Sequence, residues 1–137
     1  MTLQLDVITP AKIIYSGEVN ELLVQTEQGQ IGILPNHIGL FTKVVAGELV
    51  IKKDKKDDVL AVAGGFLDVH NNKVTLLTDY AIRAEEIEVA RAEEAKKKAE
   101  KMLSEQKDKK DLAFAEAQLR RSLLELHIAG KMKRRKI

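Results

Sequence analysis

Hydrophobic and polar positions alternate with period two through the first part of the chain. Leu3, Leu5 and Val7 face one way while Gln4, Asp6 and Ile8 face the other, and the alternation returns at Leu49 and Ile51, at Phe66 and Asp68, and at Val74 and Leu76. Turn-forming residues interrupt it at short intervals: Gly17, Glu27-Gln28-Gly29, Pro35-Asn36, Ala46-Gly47, Asp54-Lys55-Lys56-Asp57, Gly64-Gly65 and Asn71-Asn72. Asn tolerates positive φ, so Asn71-Asn72 between Phe66–Val69 and Lys73–Leu77 predicts a tight hairpin. Many short strands separated by turns predict an antiparallel β-sandwich or flattened barrel.

Near residue 83 the period changes. Ala92, Ala95, Ala99 and Met102 fall at spacings of three and four, and so do Leu112, Ala115, Leu119, Ser122, Leu126 and Ala129. The polar stretch from Ser104 to Asp111 lies between them, which predicts an antiparallel two-helix hairpin joined by a polar loop. Composition follows the same boundary: both prolines and seven of the eight glycines precede residue 83, and alanine concentrates after it. The expected organisation is β then α in two domains, 1–83 and 84–137. The predicted helical seam is built of Ala and Ser. Each such position gains about 2 kcal/mol less from burial than a Leu would, at roughly 0.8 kcal/mol per methylene. The hairpin is therefore either a marginal one, able to open, or simply a close-packed structural one.

Charge changes this picture only at the end of the chain. Residues 1–82 carry a net −3 and residues 83–137 a net +5, nearly all of it from the run Lys131-Met132-Lys133-Arg134-Arg135-Lys136. That run is a solvated end, a nucleic-acid contact or a docking element for an acidic protein surface. Three Phe, two Tyr and no Trp argue against the nucleic-acid reading, because they leave little to stack on bases.

The absence of cysteine removes disulfides, thiolate metal sites and thiol nucleophiles, and points to a reducing compartment. No stretch approaches the roughly 18 apolar residues of a membrane span, and the N-terminus lacks the basic head and apolar core of a signal peptide, so a soluble, unsecreted protein is expected. His37, His70 and His127 have no partner at ligand spacing, and neither a phosphate loop nor a nucleophile elbow occurs. Gly64-Gly65 predicts a bulge or tight bend. The chain is not expected to be an enzyme on its own.

Ser16-Gly17-Glu18-Val19, Gly29-Gln30-Ile31-Gly32-Ile33-Leu34-Pro35-Asn36-His37, Ala63-Gly64-Gly65-Phe66-Leu67-Asp68-Val69 and Ile87-Glu88-Val89-Ala90-Arg91-Ala92 resemble, in order and spacing, the epsilon subunit of bacterial F-type ATP synthases. The resemblance spans the whole chain. It implies a sandwich of about ten strands that joins the gamma subunit to the c-ring. It also implies a movable helical domain that inhibits ATP hydrolysis when extended toward alpha and beta and permits it when folded down. The implied protein is a non-catalytic subunit of a proton-translocating complex, peripheral at the cytoplasmic face of the bacterial plasma membrane, which it meets only through that complex.

The same resemblance assigns Gln30 and His37 to gamma and c-ring contact. Gln30 stands where an acidic residue is common, and His37 could equally be a loop histidine that caps a turn. Lys133, Arg134 and Arg135 are assigned to an inhibitory contact with beta. Some relatives bind ATP, with or without magnesium, between the helices. The matching residues here are Ile87, Glu88, Arg91, Ala92, Lys98 and Arg121, with no metal-ligand set and no redox cofactor. Glu88 replaces a better-capping Asp, Lys98 replaces an Arg, and Glu125 stands where a further Arg is common. These departures leave open a plain helix start without nucleotide. A stand-alone ATP-sensing module is the alternative function.

Overall fold

The computed structural model describes residues 1–105 and 108–135, with Arg135 described as a helical residue only. The chain divides into two compact units, Met1–Arg83 and Ala84–Ile137.

The first unit is one sheet of ten strands: β1 (Leu3–Ile8), β2 (Ile13–Val19), β3 (Glu21–Thr26), β4 (Gly29–Ile33), β5 (Leu40–Val44), β6 (Gly47–Lys53), β7 (Lys56–Val62), β8 (Gly65–His70), β9 (Lys73–Leu77) and β10 (Ala81–Arg83). The order is β10-β7-β6-β3-β5-β8-β9-β1-β2, with β4 paired to β3 alone. The sheet curls until β2 lies beside β6, a nearly closed barrel. One side-chain parity of each strand faces inward, and Leu5, Val7, Leu22, Ile33, Ile51, Leu60, Leu67 and Leu76 are fully buried in a single cluster. At β8 the inward parity is Leu67 and Val69, so Phe66 and Asp68 occupy the outer face.

The expected antiparallel pattern has one exception, because β1 and β9 run parallel. They are distant in sequence, so no tight turn has to join them. Asn71 and Asn72 have φ of 51° and 59°, and Asp54 and Lys55 have 49° and 68°, the left-handed pairs that two-residue hairpins need. Gly65 has a stricter reason to be glycine. Its φ is +147°, and a Cβ there would lie 2.0 Å from the Leu77 carbonyl oxygen.

On the outer face, polar residues knit β1, β2 and β9 together. Asp6 accepts hydrogen bonds from Ser16 (2.6 Å) and Gln4 (3.1 Å) and pairs with Lys73 at 3.6 Å. These contacts, Ser16 foremost, hold its carboxyl below the ordinary carboxylate range despite partial burial.

The second unit opens with a 3-10 turn, Ala84–Glu86, followed by α1 (Val89–Ser104) and α2 (Lys109–Arg135). The helices invade the polar stretch on both sides, α1 running to Ser104 and α2 starting at Lys109. Ser104 stays helical with its hydroxyl on the Lys101 carbonyl (2.7 Å), and Asp108 caps α2 by accepting the Asp111 N–H at 3.0 Å. The buried residues of the hairpin are Ala92 and Ala99 on α1 and Ala115, Ser122 and Ile128 on α2. The seam is as thin as the sequence predicts, except that Ile128 is fully buried in place of Ala129, which is half-buried.

The 3-10 turn packs against α2, so α2 has a second neighbour besides α1, and Ala84 within the turn is buried.

Candidate functional site

Two sets of residues on the first unit suit contact with a partner. The first is apolar. On β5, β8 and β9 the outward parity is otherwise polar (Lys43, Asp68, His70, Lys73, Thr75), yet it also carries Phe41, Phe66 and Leu77. These are 69%, 49% and 52% exposed. Phe41 and Phe66 stack with ring centroids 5.9 Å apart at 15°. Register places Phe66 opposite both Lys43 and Leu77. Beside them a groove of about 530 Å³ runs between Ile8, Pro10, Ala63, Gly65, Leu77 and Thr78. Exposed apolar side chains grouped in this way suit a docking surface, and Lys43 and Asp79 at the groove add charge to its lining. Sequence reasoning did not single it out, although the signal is there: one apolar side chain on the polar parity of each of three neighbouring strands.

The second set contains the sequence-predicted residues Gln30 and His37. Gln30 is exposed on β4, where its side-chain oxygen accepts from Gln25 Nε2 at 3.0 Å. His37 is half-buried in the loop 34–39, where its N–H closes a turn on the Leu34 carbonyl (3.1 Å). Its Nδ1 lies 2.8 Å from the Ile38 carbonyl, so the ring donates there and, in the neutral ring, Nε2 is the acceptor nitrogen. Leu34 and Ile38 flank it, 56% and 80% exposed.

The loop is held from behind. Asn72 accepts the Asn36 N–H (2.8 Å) and donates to the Thr2 carbonyl (2.9 Å), tying three segments together. Asn20 does the same nearby, accepting from Asp54 N–H (2.7 Å) and donating to the Met1 carbonyl (3.1 Å).

In the second unit, Ile87 is half-buried and Glu88 is the α1 N-cap, without a side-chain cap bond. Glu88 instead pairs with Arg91 at 3.6 Å, and Lys98 pairs with Glu94 at 3.9 Å. All four side chains are largely exposed, so each pair contributes at most about 0.5 kcal/mol and yields easily to a competing anion. Ala92 is buried in the seam and offers no surface.

Arg91 lies near the start of α1 and Lys98 two turns, about 10 Å, further along it. Arg121 and Glu125 are half-buried on α2. Lys133 and Arg134 are exposed on the last turn of α2, where their charge complements the helix dipole. The side chain of Arg135 lies outside the described residues. No group of three or more His, Cys, Asp or Glu among the described residues is placed to hold a metal ion, and no described helix is long and apolar enough to cross a membrane.

Residues 2–84 match the family described as ATP synthase, delta/epsilon chain, beta-sandwich domain, and residues 85–130 match its long alpha-helix domain. The chain is 45% identical over 131 residues to the ATP synthase epsilon chain of Caldanaerobacter subterraneus subsp. tengcongensis, covering 95% of each. It is 40% identical to that of Halalkalibacterium halodurans, covering 95% of this chain and 98% of the relative. With that of Chloroflexus aggregans it shares 41% identity, covering 98% and 99%. Among solved structures, a chain of the Euglena gracilis mitochondrial ATP synthase (OSCP/F1/c-ring) has the same fold, with a TM-score of 0.70 at 22% identity, covering 94% of this chain and 81% of that one. A chain of the Tetrahymena thermophila mitochondrial ATP synthase central stalk and c-ring has a TM-score of 0.55 at 16% identity, covering 64% and 70%.

The support behind the His37 loop is testable. Asn72→Ala removes two hydrogen bonds and places Ala at φ 59°, whereas Asn72→Gly removes the same bonds without the backbone penalty. Chemical denaturation is expected to show Asn72→Ala about 2–3 kcal/mol less stable than wild type and Asn72→Gly destabilised by less. Amide exchange across residues 34–39 is expected to quicken in both. Unchanged exchange there would remove Asn72 as the loop's support.

Proposed function

The chain belongs to the delta/epsilon family of ATP synthase subunits, and from that membership we propose that it is the non-catalytic epsilon subunit of a bacterial, proton-translocating F-type enzyme, working in the central stalk at the cytoplasmic face of the plasma membrane. The observation that carries the reading is the apolar surface of Phe41, Phe66 and Leu77 on a cross-tied barrel. A rotor element transmits torque through permanent contacts, and permanent interfaces are apolar at their centres. We assign this surface to the gamma subunit. Gln30 and His37 are assigned to the polar rim of the c-ring, through hydrogen bonds and without an ion pair, since Gln30 carries no charge.

The helical unit is proposed to act as the brake. Its thin seam suits a hairpin that opens, and Lys133, Arg134 and Arg135 would meet an acidic surface of beta when it extends among alpha and beta. ATP would bind the closed hairpin alone, through Arg91, Lys98 and Arg121, with Ile87, Glu88 and Ala92 forming the helix start beneath it. By binding one state it would shift the population toward the non-inhibiting form. Glu88 and Glu125 oppose the triphosphate, which makes ATP a weak modulator and argues against a stand-alone ATP sensor.

Three measurements check these assignments. Introducing Phe41→Asp and Phe66→Asp together is expected to weaken binding to gamma-containing F1 by more than tenfold, because a charged pair cannot be buried unpaired at an interface centre. Undiminished binding would remove the gamma assignment. Converting Lys133, Arg134 and Arg135 to Gln is expected to raise the latent ATPase activity of the assembled enzyme without loss of the subunit, and unchanged latency would remove the tail from the brake. In calorimetric titration of the free chain with ATP, wild type is expected to bind in the millimolar range and Glu88→Asp more tightly, since Asp caps α1 and withdraws its carboxylate by one methylene. Absence of heat from both proteins at millimolar ATP would end the nucleotide proposal.

A further inference from the structure

The strand path begins at β10 and ends at β2, and among the described residues no backbone ladder joins those two ends. Side chains bridge the gap. Tyr15 of β2 packs against the core cluster, half-buried. The Arg83 guanidinium, at the end of β10, lies 5.5 Å from the centre of its ring. The same guanidinium is 3.8 Å from Asp58 Oδ2 on β7, with the two side chains 32% and 35% exposed. Burial, and then the Asp58 charge, push the Tyr15 hydroxyl upward, so the ring beneath the cation is a neutral phenol. A planar guanidinium can lie over a ring while its edge meets a carboxylate, which an ammonium does less well.

The position of this contact gives it a consequence. β10 has three residues and pairs only with β7, at Val62, Ala61 and Leu60. Its approach is fixed by the Ala63 N–H on the Tyr80 carbonyl at 3.0 Å. The residue after Arg83 begins the helical unit.

We propose that Arg83, gripping Tyr15 and Asp58, clasps the last strand to the first part of the barrel and so fixes where the chain leaves the barrel for the helical unit, with no free tether between them. If β10 came away, its three residues would become such a tether, about 10 Å of extended chain. The clasp follows from the barrel geometry alone, and its effect on inhibition rests on the brake reading above.

Hydrogen exchange on the full-length chain tests the clasp. Arg83→Ala and Tyr15→Leu are each expected to speed exchange of the β10 amides about tenfold while the β6–β7 ladder keeps its protection. Tyr15→Phe is expected to behave as wild type because the ring is kept, and Arg83→Lys to fall between. The double variant Arg83→Ala/Tyr15→Leu is expected to be no worse than the worse single. Unchanged β10 exchange in Arg83→Ala, or full additivity in the double variant, overturns the clasp. If Arg83→Ala fails to fold, Arg83→Lys against Tyr15→Phe carries the same comparison, and equal exchange in those two overturns it as well.

In the assembled enzyme, Arg83→Ala is expected to change the degree of ATPase inhibition at least threefold while Tyr15→Phe leaves it unaltered. A loosened β10 with unaltered inhibition overturns the tether consequence. Wild-type enzyme that shows no inhibition at all would remove the brake reading and leave the exchange result standing.

Discussion

Ten short strands can bury an apolar interior only if each turns the same parity inward all the way round, and the first unit is organised by that constraint. A slip of one residue in any strand would put its Leu and Val side chains into water and its charges into the core. Inward positions are consequently filled by Leu, Val and Ile with almost no exposed area, and they carry no information about partners. Whatever the barrel does for another molecule has to be written on the opposite parity. There β1, β2 and β9 spend their polar groups on one another around Asp6, while β5, β8 and β9 hold a stacked aromatic pair and a Leu that nothing within the sheet explains. That difference between two stretches of one outer surface distinguishes a docking face from a wall.

The helical unit obeys a weaker rule. Ala and Ser at the seam let the helices approach closely, but each contact contributes little, and the polar faces are laced with exposed ion pairs (Arg91 with Glu88, Lys98 with Glu94, Arg120 with Glu116) that contribute little more. The larger fully buried side chain, Ile128, lies off the predicted seam, and the 3-10 turn packs against α2 as well, so part of what steadies α2 comes from outside the seam.

Much of this was legible in the residues. Period two, the switch to spacings of three and four, and the Asn71-Asn72 turn are each direct consequences of backbone geometry, and each appears where expected. The helix ends were not, because the stretch from Ser104 to Asp111 looks like a loop by polarity, and polarity does not stop a helix. Ser104 bonds back to its own helix and Asp108 caps the next one. Ile128 was missed because a seam period assumes one neighbour, and α2 has two. Phe41, Phe66 and Leu77 belong to strands whose adjacency emerges only from the sheet order. Of the residues that the resemblance assigns to ATP, Ala92 is buried in the seam while Arg91 and Lys98 stand in exposed ion pairs with Glu88 and Glu94, and these surroundings could not be read from the motif alone.

Weakness in the hairpin is distributed, and this bears on how it could be controlled. α1 lacks a side-chain cap, which costs about 1 kcal/mol relative to Ser, Asp or Asn at that position. Gly130 sits inside α2, and among the described residues nothing beyond its own stretch of helix lies within 4 Å of where a Cβ would stand, so no close packing demands it, and it costs about 1 kcal/mol against Ala. It also separates the packed body of α2 from the basic last turn. Add a seam poorer by about 2 kcal/mol at each Ala or Ser than one of Leu, and the closed hairpin falls several kcal/mol short of what its length would allow. A state so lightly held is shifted by a ligand or partner whose preference for one form is only of that size, since a population moves by the difference in affinity between forms and by nothing else. Strong binding is then unnecessary for regulation.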